Sequence, residues 1–94
     1  MAQPVLPGTA DEAIANGLDW QRDGDTLVKA HRAASFAAAI EYVNQVARLA
    51  EALNHHPDID IRWTTVHLRL TTHDVGGLSD LDLELAGQID GLGG

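Results

Sequence analysis

The sequence predicts an α+β domain of two layers, a four-stranded antiparallel sheet with helices packed on one face. Three observations lead there. Over residues 58–71, apolar and polar residues alternate in two runs around a short break, the pattern of a hairpin with one buried and one wet face. A briefer pair of strand-like runs flanks Asp23-Gly24-Asp25, a turn signal. Between the two hairpins, apolar residues recur every three or four positions from Phe36 to Asn54, the period of an amphipathic helix. Shorter helical segments at either end give the order α-β-β-α-β-β-α.

Taken in order, residues 1–8, with Pro4, Pro7 and Gly8, are expected to form a flexible leader, leaving 9–94 as a single domain. Thr9-Ala-Asp-Glu12 matches a capping box and predicts a helix from about Ala10 to Asn16, stopped near Gly17. Strands are expected at Leu18–Arg22 and Thr26–His31, with Trp20 the main buried side chain. Ser35 is placed to cap the long helix. On it, Phe36, Ile40, Val43, Ala47 and Ala50 form an apolar stripe that Ala39, Val46 and Leu53 widen. Such a helix is roughly 28 Å long, enough to cross the domain. Its flank of Ala37, Ala38 and Ala39 allows another helix close by, so a homo-oligomer, dimer or tetramer, is expected.

Pro57 is expected to end this helix and, by biasing His56 away from the helical region, to splay His55 and His56 apart. Ile59, Ile61 and Trp63 share one phase of the third strand; Val66, Leu68 and Leu70 share one phase of the fourth, after a turn near Thr64-Thr65. Asp58, Asp60, His67 and His31 are expected in solvent. His73-Asp-Val-Gly-Gly77 reads as a loop. Ser79 is placed to cap a last helix, about Asp80 to Asp90, with Leu81, Leu85 and Ile89 on one face and Gly91 to Gly94 closing it.

Composition narrows the function. Fourteen acids against six Lys and Arg give a net charge of −8. A polyanion is repelled over most of such a surface, which argues against direct nucleic-acid or anionic-membrane binding. Aromatic residues make up only 4% of the chain, leaving few platforms for stacked bases. The absence of cysteine excludes disulfides and thiolate metal sites. No apolar run approaches the ~20 residues of a membrane-spanning helix. The first residues have neither the basic nor the apolar region of a signal peptide, so a cytoplasmic location is expected.

Chemistry concentrates between Glu51 and Asp82. Glu51-Ala-Leu-Asn-His55-His56-Pro57 puts two imidazoles at a helix end, His73 follows the second hairpin, and Asp82 stands further on. Histidine titrates near ~6.5, so three of them suit proton transfer. Blander readings exist. Imidazoles favour the negative end of a helix dipole, and Asp82 is the third residue of Ser79-x-x-Asp82, a near capping box. Zinc is disfavoured, because adjacent His55 and His56 cannot easily aim both rings at one ion and no His-x-His or His-x3-His pair is present.

Glu51-x3-His55-His56-Pro57, then Trp63, His73 and Asp82, resembles the signature of the pterin-4a-carbinolamine dehydratases. Trp20, Phe36 and the segment Thr72-His73…Gly77-Leu78-Ser79 match that family too. The resemblance covers roughly residues 9–90. It departs at His31-Arg-Ala-Ala-Ser35, where the family carries more aromatics, and at Asn54, where an Asp is common. The family implies a four-stranded α+β fold and the loss of water from a 4a-hydroxytetrahydropterin to give quinonoid dihydropterin. It implies His55, His56 and His73 as catalytic residues, and Glu51, Trp63 and Asp82 as substrate-binding ones. It also implies a small-molecule pterin as partner and neither metal nor cofactor. Within the family, His55 and His73 fit proton transfer and His56 fits substrate contact. Some dehydratase-like domains serve instead as dimerising cofactors or assembly factors, which is the alternative reading.

Overall fold

The computed structural model describes residues 2–92; Met1, at the head of the expected leader, and Gly93 and Gly94, at the tail of the expected domain, lie outside the described residues. The elements are α1 (Pro7–Ala15), β1 (Gln21–Asp23), β2 (Thr26–Arg32), α2 (Phe36–Leu53), β3 (Asp58–Arg62), β4 (Thr65–Leu70), a 3-10 turn at His73–Val75 and α3 (Asp80–Asp90). This is the expected order of three helices and four strands. The sheet is antiparallel throughout, in the order β1-β2-β4-β3.

Register follows from the alternation. Leu27 faces Leu70, Lys29 faces Leu68 and His31 faces Val66 on the helix-covered side, while Val28, Ala30, His67 and Arg69 face the other way. Leu27, Val66, Leu68 and Leu70 are fully buried, together with Val46 of α2 and Leu85 and Ile89 of α3. Each such side chain contributes about 1.5–3 kcal/mol of apolar transfer free energy. This layer is what fixes the helices on the sheet.

Two hairpin turns are set locally. Asp23 pairs with Thr26, and Gly24 takes φ +62° between them. In the second hairpin Arg62 pairs with Thr65, so the loop is Trp63-Thr64, one residue earlier than expected. Trp63 takes φ +53°, the sense that the twist of a two-residue hairpin requires. It leaves the strand and is 77% exposed rather than buried.

Several elements differ from expectation. α1 opens at Pro7, not at Ala10, and Thr9 provides no cap. Proline at the first helical position needs no hydrogen-bond partner and has the right φ, which outweighs the Thr9–Glu12 motif. The residues before it, expected to run free, are paired: Val5 donates its N–H to Leu78 O, and Gln3 and Asp80 exchange hydrogen bonds. β1 begins after Trp20, which stays buried because its indole N–H reaches Ala86 O and Asp90 at 3.2 and 3.0 Å.

On α2 the buried phase is Ala39, Tyr42, Val46 and Ala50, whereas Phe36, Ile40 and Ala47 are exposed. The polar residues Glu41, Asn44, Gln45, Arg48 and Glu51 share one side of this helix, and the buried phase lies opposite them, rotated from a stripe drawn through Phe36 and Ile40. Small Ala39 and Ala50 allow close seating, and Tyr42 stacks on His31 with ring centroids 3.8 Å apart. His31 is accordingly half-buried, not in solvent. Ser35 caps α2 as expected, accepting from the Ala38 N–H at 3.0 Å.

Candidate active site

The histidines are presented by the end of α2. Asn54 adopts φ 50°, ψ 44° and caps the helix at the expected boundary, so the left-handed Asn54 and not Pro57 is what ends it. Asparagine tolerates the left-handed conformation better than most residues, since its short polar side chain hydrogen-bonds locally. The His55 N–H still bonds Ala50 O at 3.0 Å, so His55 remains tied to the last turn while His56 departs into β3. The two rings then meet different partners.

His55 Nε2 lies 2.5 Å from Asp82 Oδ1. Asp82 has no exposed surface, and only 11% of the His55 side chain is exposed. The other carboxylate oxygen, Oδ2, accepts from Thr72 Oγ1 at 2.7 Å and from the Ser79 N–H at 2.9 Å. Thr72 and Ser79 are buried, and their hydroxyls are 2.7 Å apart. Asp82 therefore closes the first turn of α3 and holds His55 at once. The capping role read from Ser79-x-x-Asp82 is present. Its oxygens are engaged by His55, Thr72 and the Ser79 N–H, and the side chain is buried.

His56 Nε2 lies 2.6 Å from Glu51 Oε2. Both side chains are exposed, at 55% and 75%. A helix continued through His55 would place Glu51 on the face of His55, four residues on. The left-handed residue at Asn54 ends that geometry and delivers His56 instead. One His–carboxylate pair is thus rigid and sheltered, the other open to solvent.

His73 starts the 3-10 turn and is exposed. Among the described residues no hydrogen bond joins it to His55 or His56. Its chain neighbour Thr72 belongs to the Asp82–His55 network, which anchors the His73 turn beside it. Further anchors are the Thr72–Gly77 backbone bonds, Gly76 at φ +69°, and the Thr71 hydroxyl on Asp25 O at 2.8 Å. Trp63 is not brought to this group. It sits in the turn beyond β3, on the far side of the strand from His56, about 23 Å of extended chain away.

Thr72, Ser79 and Asn54 are the residues whose part was not read from sequence. Thr72 and Ser79 figured there only within a matched segment or as a cap, and Asn54 as a departure. A concavity of about 380 Å³ lies elsewhere, lined by Gln21, Val28, Ala30, His67 and Arg69 among others on the uncovered face of the sheet. The sheltered His55–Asp82 pair lies outside that lining. Among the described residues no three His, Asp or Glu side chains are grouped so as to hold a metal ion.

The class is that of small two-layer α+β domains with three helices and a four-stranded antiparallel sheet. A family model described as pterin 4 alpha carbinolamine dehydratase matches residues 4–92, and the chain belongs to that family. Similar proteins, named provisionally as pterin-4-alpha-carbinolamine dehydratases, occur in Nocardia farcinica and in a Roseiflexus species. The first is 52% identical over 87 residues, covering 88% of this chain and 92% of the relative. The second is 48% identical over 90 residues, covering 96% and 97%. Among solved structures, a transcriptional coactivator/pterin dehydratase from Brucella melitensis superimposes with a TM-score of 0.89 at 24% identity, over 98% of this chain and all of that one. A pterin dehydratase-like protein described as a RuBisCO assembly factor in the alpha-carboxysome superimposes with a TM-score of 0.64 at 25% identity, over 80% and 87%.

Proposed function

We propose that this chain is a 4a-hydroxytetrahydropterin dehydratase working by histidine acid–base catalysis in tetrahydropterin recycling. The observation that carries the reading is the pair of unlike imidazoles at the end of α2: His55 sheltered on Asp82, His56 open on Glu51. Hydroxide is a poor leaving group, so an acid must protonate the 4a oxygen. The C4a–O bond then breaks, the N5 electron pair forms the C4a=N5 bond, and water departs. A base removes the N5 proton. The charge of the whole is unchanged, and the products are water and quinonoid dihydropterin.

His55 and His73 carry the two proton transfers. His56, with Glu51, contacts the substrate. Each positioned acid or base is worth on the order of 10²–10⁴ in rate, or roughly 3–5 kcal/mol. Family membership and the relatives' names support the substrate class. The enzyme is further proposed to be a cytoplasmic homo-oligomer; the exposed Phe36 and Ile40 beside the Ala-rich flank of α2 support an assembly.

The likeness to a RuBisCO assembly factor supports a second reading, a non-catalytic assembly role on the same fold. One experiment separates them. The protein is added to freshly generated 4a-hydroxytetrahydropterin, and loss of the carbinolamine is followed by absorbance. The enzyme reading predicts acceleration well above buffer that persists with a chelator present. A rate equal to buffer leaves the assembly reading standing.

A further inference from the structure

We infer that Thr72 and Asp82 are positioning residues that lock His55 in one tautomer, so that Nδ1 is its working nitrogen. The inference rests on the proposed dehydratase reading and specifies which atom of that site moves the proton.

Donor and acceptor accounting at Asp82 leads there. The Ser79 backbone N–H can only donate, and it points at Oδ2. Thr72 Oγ1 lies 2.7 Å from the same oxygen and also 2.7 Å from Ser79 Oγ. An ionised carboxylate only accepts, so Thr72 donates to Asp82 and in turn accepts from the Ser79 hydroxyl. Oδ2 is thereby filled by two donors. Oδ1 remains for His55 Nε2, which must carry a proton to bond it. Neutral His55 is then the Nε2–H form. Its other nitrogen, Nδ1, has no hydrogen-bond partner among the described residues. Neutral, Nδ1 offers a lone pair; in the imidazolium, it offers a proton.

The chain Ser79–Thr72–Asp82–His55 runs through buried side chains as far as the imidazole, whose own side chain is 11% exposed. No comparable chain serves His56, whose carboxylate partner is exposed. A ring fixed from behind keeps its free edge aimed. Misplacement of about 1 Å at a reacting group costs up to roughly 10²-fold in rate. Thr72 touches no substrate in this account, so its loss lowers kcat and leaves KM alone.

The test combines ring-nitrogen NMR with kinetics on wild type, Thr72→Val and Thr72→Ser. In wild type at neutral pH, long-range ¹⁵N–¹H correlations should show neutral His55 protonated at Nε2 and bare at Nδ1. Thr72→Val should lower kcat about tenfold, with KM within about twofold, and Thr72→Ser should recover most of the rate. If Thr72→Val fails to fold, the wild-type spectrum and the serine variant carry the test. A His55 ring protonated at Nδ1, or a folded Thr72→Val with wild-type kcat, overturns the inference. Should the protein lack dehydratase activity altogether, the function proposal fails by itself. The wild-type tautomer then decides the positioning claim alone.

Discussion

At the scale of single residues, Asp82 joins the start of α3 to the His55 ring. Its carboxylate closes the first turn of α3 through the Ser79 N–H and holds the His55 ring. Removing it leaves the Thr72 hydroxyl and the Ser79 N–H buried without their acceptor, a loss of about 1–3 kcal/mol for each group that stays unpaired. Asp82→Ala should therefore lower the urea unfolding midpoint and reduce kcat at least about tenfold; a variant that loses stability but keeps full kcat would detach Asp82 from His55. Glu51→Gln loses only an exposed pairing, worth about 0–1 kcal/mol. It should leave the unfolding midpoint nearly unchanged while raising KM, measured by initial rates against pterin concentration. The sequence singled out His55, His56, Glu51 and Asp82 by identity and spacing, and the structure pairs each of the two imidazoles with one of the two carboxylates. Which carboxylate serves which imidazole was not legible there, since that depends on one left-handed residue, Asn54, and on packing of α3 against the sheet.

At the scale of elements, the end of α2 decides the site. Asn54 turns the backbone left-handed so that His55 stays with the helix while His56 leaves it. Glycine adopts this conformation freely, whereas a β-branched residue pays roughly 1–2 kcal/mol. Asn54→Gly should keep or slightly raise the thermal midpoint, and Asn54→Val should lower it and weaken activity together; equal midpoints would show that the αL turn does not set the end of α2. The strands were legible because alternation has a period of two and admits one register per buried face. The rotation of α2 was legible in part: Ala39, Val46 and Ala50 of the expected stripe are buried, but that stripe was centred on Phe36 and Ile40, which are exposed, and it left out Tyr42. The start of α1 was misread because a capping motif at Thr9 competed with Pro7, and Pro7 prevails.

At the scale of the whole molecule, α3 is tied back to the first hairpin by a polar cluster. Lys29 Nζ bonds Asp90 at 2.9 Å and Asp19 at 3.1 Å, and Asp90 also accepts from the Trp20 indole. Burial alone would lower the Lys29 pKa, but the hydrogen bonds and charges of Asp90 and Asp19 outweigh it and hold the ammonium above its ordinary range. Burial also raises Tyr42 above the usual phenol range, with nearby Lys29 opposing and Asp90 and Asp19 adding to it. Unfolded lysine and tyrosine titrate near ~10.4 and ~10. Both groups thus keep protons in the folded state that the unfolded chain has released. Their contribution is complete below about pH 10 and is lost as pH rises through the higher folded values. Unfolding midpoints measured from pH 8 to 11 should fall at the alkaline end, and less steeply in Lys29→Met. A flat profile would contradict the cluster. The order α-β-β-α-β-β-α was legible from periodicity; this tie was not, because it joins residues 61 positions apart that no local pattern connects.

The central claim is that the end of α2 and the turn at His73 make one proton-transfer site for a 4a-hydroxytetrahydropterin. Carbinolamine loss measured with wild type, His55→Ala and His73→Ala at equal concentration tests it most directly. Wild type should accelerate the reaction, and each variant, folded by circular dichroism, should fall at least about tenfold below it. Folded variants that both match wild type would contradict the account.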